Sequence, residues 1–435
     1  MYITRDIRYV GVMDRALDLF EGQYPVPNGM AYNSYVIEDE QCAVVDSVEV
    51  RFAEEWIGNI RTALQGRSPD YLIVQHMEPD HSGSLLRFLE AFPHTQLVAT
   101  QRAFVMMNNF FGTTFHGRAV DEGDTLSLGR HTLTFHTAAM VHWPEVMVTY
   151  DSADKVLFSA DAFGRFGEPN DAEDWTDEAA RYYFGIVGKY GGPVQAVLKK
   201  LAGVPIDIIC SLHGPVLREK AAEALALYHI WSSYVPEKEG IVIAYTSIYG
   251  NTGRAAEKLA ARLRELGQTV VSYDLARCDQ YAAVADAFRY DRLVLATTTY
   301  NGGIFPAMHH FIGHLTERGF TNRTVGFIEN GSWAPAAMRV MRGLLEKGKP
   351  LTYAENGVTI LSALNETSEA QLEALALELA GTVSEAVPVE APAVDEPKKK
   401  FVCRICGYIH EAERLPDDFT CPLCGRPASD FEEVK

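Results

Sequence analysis

After the apolar run YLIVQ, the segment HMEPDHSG places His76, Glu78, Asp80 and His81 within six residues, in a loop free to turn several side chains onto one point. Any one of them alone reads as an ordinary surface residue; four together point to metal ligation. His142 in MVHWPE, Asp161 in LFSADAFG and His213 in CSLHGP each follow an apolar run and precede a turn, so each would stand at a strand end, where sites collect. The set holds four histidines and three carboxylates. With Asp161 shared between two ions, these side chains would give each ion four bonds and leave room for a small external ligand, an open arrangement suited to catalysis.

A second group lies further along. The run IVIAYTS leads into TSIYGNTGRAAEKLA, where Thr246, Ser247, Asn251 and Thr252 supply hydroxyl and amide groups around Ile248 and Tyr249, and Gly250 and Gly253 let backbone N–H groups face inward. The positive end of the following helix would hold a phosphate there; the hydroxyls taken alone would equally cap a helix. Neither a Walker ending nor a GxGxxG fingerprint is present. The segment TTTYNGGIFP, with Thr298, Thr299, Tyr300, Asn301, Gly302 and Gly303, and the segment ENGSWAP, with Gly331, Ser332 and Trp333, also follow apolar strands. All three loops would meet at the carboxyl edge of one sheet. A third group, FVCRICGYIH and FTCPLCGRP, repeats CxxC with a glycine after each pair. Cys403, Cys406, Cys421 and Cys424 would make a tetrahedral four-sulfur site for zinc or for one iron, and geometry alone does not choose. The remaining cysteines, Cys42, Cys210 and Cys278, sit far apart in apolar runs, so the bunching at the end suggests metal and not disulfides.

The elements that must position these residues follow from pattern and length. A chain of 435 residues has material for two to four domains. Two composition shifts, at VPEKEG and at the proline-, alanine- and charge-rich run VSEAVPVEAPAVDEPKKK, divide it into units at 1–236, 239–383 and 400–435, with a solvated linker at 384–399. In the first unit, strand pairs around NSYVIEDEQCAVVDSV, TLSLGRHTLTFHTA and EVMVTYDSADKVLFSADAF alternate with helices expected over 52–65, 84–91 and 179–201. This suggests two sheets between helices. The second unit alternates strand and helix, as a doubly wound parallel α/β sheet does. A net charge of −19 with Lys398, Lys399 and Lys400 as the one basic cluster argues against nucleic acid or an anionic bilayer as partner. No run approaches the ~18 apolar residues of a membrane span and the N-terminus lacks the order of a secretory signal, which reads as a cytoplasmic protein. His94, His116, His131, His136 and His229 lack converging partners in the sequence, and His309, His310 and His314 fall at helical spacing; none is assigned chemistry.

The first group resembles the metallo-β-lactamase superfamily, whose motif is HxHxDH, with Glu78 in place of the second histidine. An anionic oxygen donor there favours harder ions and higher oxidation states, hence redox-active iron over zinc. With HWPE and SADAFG the chain is similar to the flavodiiron protein family over nearly all of residues 1–383. The second group resembles flavodoxin, and the third resembles rubredoxin in a short-spaced, rubrerythrin-like form, with 14 residues between Cys406 and Cys421 and with Phe401, Tyr408, Phe419 and Phe431 as shielding aromatics. The resemblance implies an αββα sandwich, a flavodoxin-like domain and a rubredoxin-like knuckle domain. It implies a di-iron centre, with His76, Glu78 and His142 on the iron nearer the flavin, Asp80, His81 and His213 on the other and Asp161 between. It implies FMN, with its phosphate in the first loop, and one Fe(Cys)4. The implied activity is reduction of dioxygen to water or of nitric oxide to nitrous oxide, in a head-to-tail homodimer or a dimer of dimers. The absence of a dinucleotide fingerprint implies an NAD(P)H-dependent rubredoxin reductase upstream. Trp143, Tyr182, Tyr183 and Phe184 are the candidates for choosing between the gases. The competing reading is a zinc hydrolase of the same fold with appended binding units; a third is an electron carrier with a vestigial metal pair.

Overall fold

The computed structural model describes residues 1–169, 175–381, 399–412 and 414–434. Side-chain alternation along short strands builds the first unit. Across Tyr35–Ile37, Ala43–Val45, Tyr71–Val74 and Gln96–Thr100, one face carries Val36, Val44, Leu72 and Leu97, and the other carries Ile37, Val45, Ile73 and Val98. With Ile7–Tyr9 at one edge and Gly117–Val120 at the other, these strands form a six-stranded sheet. A five-stranded sheet runs in chain order through Thr125–Ser127, Thr132–Thr137, Met147–Asp151, Val156–Phe158 and Ile208–Cys210. Phe135, Met147, Phe158 and Cys210 of this sheet share one buried layer with Ile73 and Val98 of the other, so the two sheets stack. Helices Ala53–Leu64 and Gln101–Phe111 cover the outside of the first sheet; Gly191–Lys200, with Ala221–Ser232 packed beside it, covers the second.

The single helix expected over 179–201 is broken. An α-helix over Trp175–Tyr182 passes into a π turn at Tyr183–Val187 and a 3-10 turn at Gly188–Tyr190 before helix Gly191–Lys200. Four glycines in this stretch weaken a continuous helix. Tyr24 exploits one of them. Its Cε1 lies 2.7 Å from where a Cβ on Gly185 would stand, and its hydroxyl donates to the Gly185 carbonyl at 2.9 Å.

The second unit is a parallel sheet in the spatial order Val270–Asp274, Lys238–Tyr245, Tyr290–Tyr300, Thr324–Asn330, and then Thr352–Tyr353 and Val358–Ile360. Numbered along the chain this is 2-1-3-4-5, the doubly wound order that opens a crevice between its first and third strands. Helices Asn251–Glu265, Pro306–Glu317 and Ala337–Leu345 alternate with its strands. Gln280–Arg289 and Glu366–Gly381 are further helices of this unit. The C-terminal unit is a three-stranded sheet with Lys399–Cys403 between Ile409–Ala412 and Phe431–Val434. The expected linker at 384–399 lies outside the described residues, Lys399 excepted. No helix among the described residues is long and apolar enough to cross a membrane.

Candidate metal centres and cofactor cleft

Both stacked sheets end at one rim of the sandwich, and every residue of the first group lies there. His76 and Glu78 follow strand Tyr71–Val74, and Asp80 and His81 sit in the single turn Pro79–Ser82, opened by proline at its first position. Asp161 follows Val156–Phe158, His213 follows Ile208–Cys210, and His142 comes from the loop before Met147–Asp151. The structure sorts them into two clusters. In the first, His142 Nε2 stands 3.1 Å from Glu78 Oε2 and 3.1 Å from Asp161 Oδ2, while His76 Nε2 stands 3.3 Å from Glu78 Oε2. In the second, His81 Nε2 is 3.2 Å from Asp80 Oδ2 and 2.9 Å from His213 Nε2. Asp161 belongs to both: its Oδ2 faces the first cluster, while its Oδ1 lies 3.2 Å from His81 Nε2.

Partners outside the clusters fix the ring orientations. His76 Nδ1 lies 2.9 Å from Glu145 Oε1, which also accepts from the Met77 N–H at 2.8 Å. His213 Nδ1 lies 2.8 Å from the Ala31 carbonyl, which can only accept. Each Nδ1 therefore carries the proton and leaves Nε2 to a metal. Burial alone would raise the pKa of Asp161, but His76, His81 and His142 around it hold it well below the carboxylate range. Burial would lower His142, yet its bonds to Asp161 and Glu78 raise it to about 9. Burial, then the charge of His81, presses His213 down to about 3. Burial likewise pushes Asp80 up to about 7, and neither of its carboxylate oxygens has a hydrogen-bond partner. The protons on the raised histidines stand where cations would stand, so metal binding displaces them. Four imidazoles and three carboxylates, with both Asp80 oxygens lacking a hydrogen-bond partner, fit a pair of ions. Glu145 was not legible as a site residue, although it lies three residues beyond His142 in HWPE. Glu145→Ala is expected to lower metal affinity 10- to 100-fold, about the cost of losing such an outer partner, as read by chelator competition.

The second group lines a cleft of about 540 Å³ at the carboxyl edge of the parallel sheet. Ser247, Ile248, Tyr249, Asn251, Thr252, Thr298, Thr299, Tyr300, Asn301, Gly302, Gly331, Ser332 and Trp333 all line it. Four expected residues do not, among them Gly253, which lies within helix Asn251–Glu265. The Thr246 hydroxyl is buried and paired with that of Thr297 at 2.6 Å, and Gly303 lines a neighbouring groove. Gly250 instead turns the chain, at φ +85°, into helix Asn251–Glu265, which aims its first N–H groups at the cleft. Asn330, Ala334 and Ser362 are lining residues the sequence reading missed. Asn330 Nδ2 donates to Thr252 Oγ1 at 3.3 Å and to the Ser362 carbonyl at 3.2 Å, tying the first loop to the last. The Ser247 and Thr298 hydroxyls are buried without a partner, and Trp333 and Tyr249 are 91% and 89% exposed beside them. Unpartnered hydroxyls at two of the loops, a helix start and flat aromatics at the mouth fit a phosphorylated planar ring system such as FMN.

The four C-terminal cysteines converge. Cys403 and Cys424 Sγ are 3.6 Å apart, Cys406 and Cys421 Sγ 3.5 Å, and all four lie within 4.8 Å of one another. Gly407 and Gly425, at φ +75° and +68°, let the chain fold back at each knuckle. Tyr408, Leu423 and Phe431 pack against the cluster of Cys403, Cys406 and Cys421, as does Met140 of the first unit. Among the histidines left without a role, His131 proves buried, with Nδ1 3.0 Å from Asp151 and Asp154 beside it; Arg130, paired with Asp154, already neutralises that cluster.

Family models match three stretches of the chain. An ODP family beta lactamase model covers residues 30–214, a flavodoxin model 243–349 and a rubrerythrin, rubredoxin-like domain model 401–432. Curated relatives run the whole length. The anaerobic nitric oxide reductase flavorubredoxin of Shigella boydii is 26% identical, covering 99% of this chain and 98% of its own, and that of Salmonella paratyphi B is 28% identical over 97% and 96%. Among solved structures, the rubredoxin oxygen:oxidoreductase of Desulfovibrio gigas superimposes with a TM-score of 0.82 at 26% identity, over 87% of this chain and 97% of that one. The flavodiiron protein of Giardia intestinalis gives 0.81 at 26% identity, over 87% and 95%. Two histidine–carboxylate clusters sharing Asp161, a phosphate-ready cleft and a four-thiolate knuckle, in that chain order, give this chain the architecture of the flavodiiron proteins, extended at its C-terminus by a rubredoxin-like unit.

Proposed function

We propose that the chain passes electrons from a rubredoxin-type iron at Cys403, Cys406, Cys421 and Cys424, through FMN, to a di-iron site that reduces dioxygen to water, nitric oxide to nitrous oxide, or both. The observation that carries this reading is Asp161, whose two oxygens face two separate ligand clusters. His76, Glu78 and His142 would hold one iron, Asp80, His81 and His213 the other. When bound, the irons and the flavin supply electron storage and coordination of the gas. The chain's own residues set the conditions for that chemistry. Glu145 and the Ala31 carbonyl hold His76 and His213 with Nε2 inward. Phe20, Tyr32 and Tyr182 pack their rings 5.5, 6.0 and 5.6 Å from His213, walling that side with apolar surface that admits small neutral molecules and excludes bulk water.

Division into units at 1–236, 239–383 and 400–435 belongs to this proposal, as do a cytoplasmic setting, an NAD(P)H-dependent rubredoxin reductase as donor and a head-to-tail homodimer. Exposed Trp333, Tyr249 and Tyr300 around the cleft support the dimer, since contiguous exposed aromatics mark contact surfaces. The test is metal analysis and a visible spectrum of purified protein, followed by turnover with each gas. Iron with flavin and gas consumption is the expected result; zinc without a flavin spectrum would instead mark a hydrolase of the same sheet architecture. Ser247→Ala removes an unpartnered buried hydroxyl from the phosphate end of the cleft. A hydrogen bond to a charged group contributes about 1.5–3 kcal/mol, so FMN affinity is expected to fall roughly 10- to 100-fold in a fluorescence titration.

A further inference from the structure

The C-terminal knuckle is seated on the metal-bearing unit. Arg102, at the start of helix Gln101–Phe111, donates from Nη1 to the Ile405 carbonyl at 2.6 Å and from Nη2 to the Arg404 carbonyl at 3.4 Å. Both carbonyls lie between Cys403 and Cys406, so a single guanidinium clamps the backbone of one knuckle. Beside it, Met140 packs against the buried cluster that Cys403, Cys406 and Cys421 form. Gly407 approaches so near that a Cβ on it would stand 3.8 Å from the Cβ of Ala139.

The loop that touches the knuckle also supplies a metal ligand. Met140 is held by its N–H bond to the Trp143 carbonyl at 2.7 Å, and His142, two residues on, reaches Glu78 and Asp161. Consecutive Cα atoms are at most about 3.8 Å apart, so Met140 and His142 are separated by less than about 8 Å. Trp143 fills the space beside them, its ring 5.3 Å from His76 and 6.2 Å from His142. One packing contact and two peptide units therefore join the thiolates to the first metal cluster, with no part of the flavin cleft between.

We propose that the four-cysteine iron has a second outlet, directly to the metal pair through residues 139–142, which operates without FMN. In this step the ferrous four-cysteine iron gives up a single electron and becomes ferric, and a ferric ion of the pair takes that electron and becomes ferrous; no proton or bond is exchanged at the sulfurs. The inference rests on the function proposed above, and its test separates the two. Iron-loaded protein stripped of FMN is reduced anaerobically, freed of reductant and mixed with dioxygenated buffer, while the visible band of the ferric four-cysteine iron is followed. That band is expected to return at least tenfold faster than in Asp161→Ala or His213→Ala, two separate variants lacking an intact pair. Arg102→Glu, which sets a carboxylate against the two knuckle carbonyls, is expected to slow it tenfold or more. It should also raise hydrogen exchange in residues 138–143 of the full chain. Equal rates in parent and pair-deficient variants, or an unchanged rate and exchange in Arg102→Glu, overturn the direct outlet. If flavin-loaded parent still consumes gas in that event, only this inference fails; if it consumes none, the proposed function fails with it.

Discussion

Asp161→Ala is expected to abolish gas turnover and to leave the chain unable to keep two ions in the sandwich. Loss of an outer-shell partner lowers activity or metal affinity by about 10- to 100-fold, and among the described residues Asp161 is the one side chain that offers an oxygen to each cluster, so its loss exceeds that range. The same change weakens the metal-free protein. His76, His81 and His142 are held in their charged forms partly by Asp161, and leaving buried charge uncompensated costs about 3–5 kcal/mol. Asp161→Asn is the informative companion, because an amide keeps the volume and a single oxygen donor. It is expected to hold one ion where the parent holds two. Iron content per chain, urea midpoints without metal and gas consumption check these three expectations together; retained turnover with two ions in Asp161→Ala would show that the carboxylate does not bridge.

Cys406→Ser is expected to abolish turnover supported by a protein electron donor while sparing turnover when the flavin is reduced directly by an artificial donor. Cys406 is buried, and burial pushes its thiol well above the ordinary range, so a metal ion must keep it ionised. A serine hydroxyl does not replace it as a soft ligand. In small metal knuckles the ion supplies about 10–16 kcal/mol of folding free energy, and here the cysteines form the centre of a core otherwise made of Tyr408, Leu423, Phe431 and the intruding Met140. The C-terminal unit is therefore expected to unfold and lose its visible iron band, while residues 1–381 keep their melting transition. Visible absorption, calorimetry and turnover with the two kinds of donor distinguish this outcome from a general loss of structure.

What could be read in the sequence was chemistry carried by residue type at strand ends. His76, Glu78, Asp80, His81, His142, Asp161 and His213 stand after apolar runs, and a polar residue just past a buried strand advertises itself. The cleft loops were visible for the same reason. What stayed hidden depended on partners distant in sequence or on the backbone. The Ala31 carbonyl that orients His213 leaves no mark in the sequence, and Glu145 looks like any loop carboxylate until His76 is placed beside it. Asn330 and Ser362 enter the cleft because the fourth and fifth strands run side by side, a consequence of topology and not of local pattern. The break after Tyr182 required Tyr24, far off in the chain, to press against Gly185. His131 illustrates the converse. Its carboxylate neighbour Asp151 is on the adjacent strand, so pairing was invisible before register was known.

Ala160 and Phe163 flank the bridging aspartate, and both adopt left-handed backbone angles, φ +50° and +65°. Non-glycine residues held so store about 1–3 kcal/mol each, which a glycine would release. At Phe163 the buried ring, 4.2 Å from that of Tyr228, would be lost along with the strain, at about 3–5 kcal/mol, so a search for heat-tolerant variants would be drawn to glycine at Ala160. It would gain melting temperature by relaxing the turn that keeps one carboxylate aimed in two directions, trading durability against aim.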